Sequence, residues 1–178
     1  MSSILDIDLD CFNLVSDPVA GLRELLTWAG QPVGIIAGSH ADAVSHWTRL
    51  VKSGALTTPT HVLHVDEHHD MMDEKRIMNA ANVMYHAMRL WPDCRVCWIV
   101  PDRIDAPEMW LRSETWNRIR KRFKAANRVP AKWPRPDFVS VCTSSGFVAA
   151  KLREQLMDEV KKHQKRITVE QGHEARRP

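Results

Sequence analysis

The chain has 178 residues, of which 44% are hydrophobic and 26% charged, with a net charge of +3. That is enough for one domain with its own core, too few for two, and unlike the composition of a disordered chain. No apolar run approaches the roughly 20 residues of a membrane span, and three aspartates in the first ten residues exclude a secretory signal.

The predicted elements alternate along the chain. Ile4 to Leu9 reads as a first strand, and Asp17-Pro18 opens a helix through Trp28 with Val19, Leu22, Leu25 and Leu26 on one face. Gly30-Gln31-Pro32 ends that helix, and Val33 to Ala37 follows as a second strand. Ala41 to Val51 is a helix, His61 to Val65 a third strand, Asn79 to Leu90 a helix, and Arg95 to Val100 a fourth strand. Pro107 to Ala126 is mostly helical and basic, Val129 to Pro136 is a proline-rich loop, and Phe138 to Cys142 is a fifth strand. A helix from Val148 to Lys162, capped by Thr143 or Ser145, ends the domain. Residues 1–165 thus form a single domain, and 166–178 a basic, flexible tail. The alternation predicts an α/β fold of three layers, α/β/α, on a mostly parallel sheet. Ligands in such sheets bind at the carboxyl ends of the strands.

Four cysteines, Cys11, Cys94, Cys97 and Cys142, fit a cytoplasmic protein with reduced thiols. Cys94-x-x-Cys97 has no second pair at finger spacing, so both read as core residues. The basic run Arg118 to Lys124 is a solvated helix face or a surface that attracts an acidic peptide or nucleic acid.

Acidic residues gather at three strand ends. In Leu5-Asp6-Ile7-Asp8-Leu9-Asp10 the aspartates alternate with apolar residues, which on a strand sets three carboxylates on one side. Crowded carboxylates repel unless a cation sits between them, and carboxylate oxygen is a hard ligand for divalent metals. In Asp66-Glu67-His68-His69-Asp70, Asp66, His68 and Asp70 alternate directly after a strand. Two carboxylates with an imidazole suit Mn²⁺ better than Mg²⁺. Gly38-Ser39-His40-Ala41-Asp42 follows the second strand and offers His40. The number of carboxylates favours two ions sharing one water, a common hydrolytic device.

Together these segments resemble the arginase and deacetylase superfamily. Asp66-Glu67-His68-His69-Asp70 looks like the Asp-x-His-x-Asp motif of ureohydrolases, Asp6-Ile7-Asp8-Leu9-Asp10 like their Asp-x-Asp strand, and Gly38-Ser39-His40 like their Gly-Gly-Asp-His segment without its aspartate. Within that superfamily the resemblance is to the peptide arginases. It implies two Mn²⁺ ions, with His40 and Asp70 on one, His68 on the other and Asp66 shared. An arginase-like alignment selects Asp6 with Asp8, a deacetylase-like one Asp8 with Asp10; we prefer Asp8 and Asp10, with Asp6 behind them. Asp8, Asp66 and His68 carry the catalytic assignment.

The implied reaction is hydrolysis of arginine side chains in a ribosomal precursor peptide to ornithine and urea. The alternatives are a small-molecule ureohydrolase or amidohydrolase on the same metals, and a non-catalytic, metal-stabilised peptide-binding module. The lack of an apolar span argues against a membrane partner, the histidine share of the site and the modest net charge argue against nucleic acid, and a homo-oligomer is one possible assembly. The motif order is permuted relative to arginases, which is tolerable where termini lie together at the surface. Asn79 and Asn82 resemble family asparagines that contact substrate, with helix capping as the other reading and the favoured one for Asn79. Ser144, in Thr143-Ser144-Ser145-Gly146, either lines the pocket or belongs to a turn. His86 reads as a helix-packing residue, and alternation turns Glu67 and His69 away from the metals.

Overall fold

The structure is a computed structural model describing residues 2–100 and 106–174. It is an α/β fold on one six-stranded sheet in which every strand pair is parallel. The strands are β1 (Ser2–Asp8), β2 (Val33–Ala37), β3 (Pro59–Val65), β4 (Arg95–Ile99), β5 (Phe123–Ala126) and β6 (Phe138–Cys142), in the order β2-β6-β1-β3-β4-β5. The helices are α1 (Pro18–Ala29), α2 (His40–Ser53), α3 (Val83–Leu90), α4 (Ser113–Ile119) and α5 (Ala150–Glu174). No helix among the described residues is long and apolar enough to cross a membrane.

β1 lies at the centre and is buried along its whole length. A strand covered on both faces must supply apolar groups to each. Ile4 joins Val62, Val96, Trp47 and Met84 in one core, beneath α2 and α3. Leu5, Ile7 and Leu9 join Leu63, Val139, Leu22 and Leu156 in the other, beneath α1 and α5. Cys94 and Cys97 fall into different cores, and all four cysteines are free and buried. The local signals match the elements. Asp17 caps α1 through the Ala20 amide at 3.1 Å, Pro18 opens its first turn, and Gly30 ends it at φ 67°, a left-handed conformation costly for other residues.

The chain leaves β1 toward β2 on one side and leaves β3 toward β4 on the other. The carboxyl ends of β1 and β3, adjacent in the sheet, therefore flank a topological switch point, where such sheets open a crevice.

One expectation fails here. The helix expected over residues 107–126 is broken into a 3₁₀ turn at Pro107–Met109, α4, a second turn at Arg120–Arg122, and β5. The basic run is consequently not one helical face, and Arg122 spends its guanidinium on the Met88 and Cys94 carbonyls, at 3.3 and 3.0 Å. The reason is tertiary: β4 would otherwise leave an edge of backbone groups unpaired, and Phe123 packs near Trp98 and Trp116. At the other end α5 continues to Glu174 over the residues expected as a tail; the side chains of 165–174 and residues 175–178 lie outside those described.

α1 and α5 are clamped by a two-pronged ion pair, Arg23 Nε and Nη2 donating to Glu159 at 3.0 and 3.1 Å. The hydrogen bonds from Arg23 hold the buried Glu159 carboxyl at about 2, below its ordinary 4.5. A depressed carboxyl stabilises the fold above the unfolded pKa and ceases to do so as pH falls through the folded one. Glu159→Gln should therefore cost about 1 kcal/mol at pH 7, Arg23 being half-exposed. Urea titrations should show the difference from the parent fading between pH 4.5 and about 2; a constant difference would contradict the assignment.

Candidate metal centre

Strand register assembles the floor of the crevice. Asp6 lies level with Ser140 on β6 and His64 on β3, and all three are fully buried. Ser140 Oγ donates to Asp6 Oδ1 at 2.7 Å, while Asp6 Oδ2 faces His64 Nδ1 at 3.1 Å and His40 Nδ1 at 2.7 Å. One residue pair further, Asp8 aligns with Cys142, which aligns with Ala37 on β2. Cys142 Sγ lies 3.2 Å from His40 Nδ1.

His40 opens α2, whose N-cap is Ser39. Its Nε2 is 2.9 Å from Asp8 Oδ2 and 2.9 Å from Asp66 Oδ2. Asp66 stands just past β3, its backbone held by the Ile99 carbonyl and by the Trp98 indole at 2.9 Å. Its Oδ1 accepts the His68 amide at 2.7 Å and lies 3.5 Å from His68 Nδ1, which is itself 3.6 Å from Asp10 Oδ2. His64 Nε2 is 3.3 Å from Asp66 Oδ2 and 3.7 Å from Asp70 Oδ2. Asp70 has φ 51°, sparsely populated for a residue with a side chain, and its carbonyl is fixed by the Met84 amide.

Asp8, Asp10, His40, Asp66, His68 and Asp70 thus line one cavity of ≈ 370 Å³ at the carboxyl ends of the strands. Asp6 lies beneath it, behind His40. Asp10 arrives by a route the alternation did not foresee. β1 stops at Asp8, a 3₁₀ turn runs Leu9–Leu14, and Asp8 Oδ1 caps that turn by accepting the Asp10 amide at 3.0 Å. His69 turns away, edge-on to Trp98, with its Nδ1 accepting the Met71 amide.

The asparagines are structural. Asn79 and Asn82 form a capping box around a turn at Ala80–Asn82, and Asn82 spends its amide on Asp73 and the Ile77 carbonyl, at 2.7 and 3.1 Å. Neither lines the cavity, so the substrate-contact reading is corrected for both; they fix the loop that brings Ala80 and Ala81 to its wall. His86 contacts the Lys75 carbonyl instead of the cavity. Ser144 does line it, and its hydroxyl donates a short hydrogen bond to Asp8. Two participants went unassigned in the sequence. Cys142 carried no signal there. His64 carried one: His64-x-Asp66-x-His68-x-Asp70 extends the alternation two residues upstream.

Five carboxylates, each at most 4% exposed, share this volume with His40, His64 and half-exposed His68. Burial pushes Asp6 and Asp66 toward their neutral forms, but the histidines around them prevail and hold both well below the usual carboxylate range. Burial and the Asp66 charge drive Asp70 the other way, well upward, and burial raises Asp10. The carboxylates of Asp10 and Asp66 beside its ring lift His68 to about 11. The site is short of positive charge, and the deficit is greatest at Asp10 and Asp70. These two also have buried oxygens, Asp10 Oδ1 and Asp70 Oδ2, with no hydrogen-bond partner among the described residues. Divalent cations match both features.

Mn²⁺ added to the metal-free protein should raise Tm, by about 2.7 kcal/mol of stabilisation at a hundredfold excess over Kd. Because His68 is held protonated without an ion and Asp70 is pushed toward its protonated form, binding should release protons and tighten as pH rises. Calorimetry in buffers of different ionisation enthalpy reads that release directly, and binding with no proton release would contradict the ligand set. Asp66→Asn should lose most of the Tm gain.

No protein-family model matches this chain, and no curated protein or solved structure does either.

Proposed function

We propose that the chain is a manganese-dependent hydrolase that converts arginine side chains of a precursor peptide to ornithine and releases urea. The observation that carries this reading is the position of Asp66. Its Oδ2 lies in one group of potential ligand atoms, with His40 and His64, and its Oδ1 in a second, with Asp10 and His68. A carboxylate shared between two ligand groups is what a two-ion site requires. Asp8, His40, Asp66 and Asp70 would hold one ion, and Asp10, Asp66 and His68 the other. Such a pair supplies a water ionised near neutral pH and stabilises the charge that develops as it attacks.

The chain's own residues shape the rest. Ser144 holds the Asp8 carboxylate in place from the β6 side, and Asp6 fixes the His40 ring from below. Phe147 is 71% exposed, lines the cavity and stands edge-on to His68, giving the aliphatic stem of an arginine an apolar wall. Ala80, Ala81 and Gly146, all small, leave room for a peptide backbone beside the opening. In the balanced reaction water adds to the guanidinium carbon and its bond to Nε breaks. The carbon leaves as neutral urea carrying the water oxygen, and the side-chain nitrogen takes up both water protons, becoming the ornithine ammonium with the positive charge the guanidinium held. The free thiols support a reducing, cytoplasmic setting.

Protein loaded with Mn²⁺ should release urea from arginine-containing peptides, with a mass loss of about 42 Da per arginine, the amidino unit replaced by hydrogen. Asp66→Asn and His68→Ala should each lower the rate by about a thousandfold or more. Metal binding without turnover on any arginine peptide would overturn the proposal, as would faster turnover of agmatine, free arginine or acetyl-lysine.

A further inference from the structure

His64 heads the His64-x-Asp66-x-His68-x-Asp70 alternation, and it is the one imidazole of the cluster to which neither the resemblance nor the proposed mechanism gives a task. It is fully buried in the third strand of the sheet, and its two ring nitrogens have different surroundings. Nδ1 faces Asp6 Oδ2 at 3.1 Å. Nε2 has no hydrogen-bond partner among the described residues, yet Asp66 Oδ2 lies 3.3 Å and Asp70 Oδ2 3.7 Å away. A buried polar nitrogen without a hydrogen-bond partner is costly, so such an atom points to a ligand of its own.

The same Asp6 oxygen is 2.7 Å from His40 Nδ1. A carboxylate that engages both Nδ1 atoms leaves each Nε2 as the atom that can give a lone pair to an ion once its proton is lost. The His40 Nε2 atom points to Asp8 and Asp66, and the His64 Nε2 atom to Asp66 and Asp70. The two rings meet in a T-shaped arrangement, with centroids 5.0 Å apart. These donor separations are close to the roughly 3–3.5 Å between neighbouring ligand atoms around an ion held at about 2.1 Å. The orphaned Asp70 Oδ2 is part of the same set.

We propose that His64 is a direct ligand of the inner metal ion, completing a two-imidazole site with His40, Asp66 and Asp70, and that Asp6 is the anchor presenting both rings. The proposal rests on reading the cluster as a metal centre, not on arginine being the substrate. It has a chemical consequence. Two imidazoles make the inner position softer than a carboxylate site with one, so it should hold Co²⁺ or Zn²⁺ more tightly than Mn²⁺ and discriminate strongly against Mg²⁺.

The test is a nitrogen-15 spectrum of the full chain, labelled at histidine, titrated from the metal-free form with Zn²⁺ as a diamagnetic probe. His40 and His64 should bind through Nε2, and His68 through the Nδ1 that faces Asp10 and Asp66. The expected pattern is two metal-shifted Nε2 signals and one metal-shifted Nδ1 signal among the nine histidines. His64→Gln should remove one Nε2 signal and weaken the tighter site by about a hundredfold or more, and Asp6→Asn should weaken it by about ten- to a hundredfold. The wild-type pattern is informative even if a variant fails to fold. A single shifted Nε2 signal at zinc saturation overturns the proposal, and no zinc binding overturns it together with the metal reading. The full pattern in a protein that releases no urea from peptides upholds the ligand assignment while the arginine reading falls.

Discussion

Everything at the carboxyl edge of this sheet depends on keeping five carboxylates out of water within a few ångströms of one another. Two like charges at about 4 Å repel by roughly 4 kcal/mol at an effective dielectric constant of 20, and several such pairs would exceed the net stability of a domain this size. Part of the burden is met by imidazoles, which hold Asp6 and Asp66 ionised; the remainder appears as an upward push on Asp70 and Asp10. Charge is therefore divided between carboxylates satisfied by the protein and carboxylates left without a partner. Asp6 belongs to the first group: it has two histidines and a serine hydroxyl, and no route to the cavity. A group so fully satisfied orients others, which is why its role differs from that of Asp8 on the same strand.

The fold concentrates this charge through topology. β1 lies between β6 and β3, so residues far apart in sequence stand level: Asp6 with Ser140 and His64, Asp8 with Cys142. α2 then delivers His40 over the same edge, because β2 sits next to β6 and its helix begins where its strand ends. The segment after β3 is the least regular part of the wall, and it is pinned at separate points. The Asn79–Asn82 box closes one turn, the Met84 amide holds the Asp70 carbonyl, and Glu74 receives Arg112 at 2.6 to 2.8 Å. Pinning of this kind maintains Asp70 at a positive φ, an unfavourable conformation that persists only when neighbours over-determine it.

Much of this was legible in the sequence, for reasons that separate local from non-local information. The period-two alternation in Leu5-Asp6-Ile7-Asp8 and the Asp66-x-His68-x-Asp70 spacing are local signals, and each leads to the correct edge of the sheet. β2 and β6 match their expected bounds because both are short apolar runs ended by turn chemistry. β5 was missed because Phe123 to Ala126 has no strand pattern of its own; it is a strand because β4 needs a neighbour. Asp10 was expected in the right place for the wrong reason, since it reaches the cavity from a 3₁₀ turn and not from strand alternation. Asn79 and Asn82 illustrate the converse: an amide suits substrate and backbone equally well, and only the tertiary contacts show that both are consumed by the loop.

The two ligand groups that meet at Asp66 are not equivalent, and the difference follows from where their members sit. The inner group draws on His40 and His64, both enclosed and both braced by Asp6. The outer group draws on Asp10 and on His68, whose side chain is 40% exposed and whose neighbour across the opening is the exposed Phe147. The imidazoles of both groups are held toward their protonated forms and give up protons on binding, but rigid, desolvated donors bind an ion without having to be ordered first, whereas a half-exposed imidazole must also give up its freedom. On the proposed reading the inner position fills first and acts as a structural brace for Asp66 and Asp70, and the outer position is the one in contact with solvent and substrate. A site arranged in this way places its most adaptable ligand at the entrance, where substrate arrives, and its most constrained ligands in the core, where the fold itself needs the positive charge.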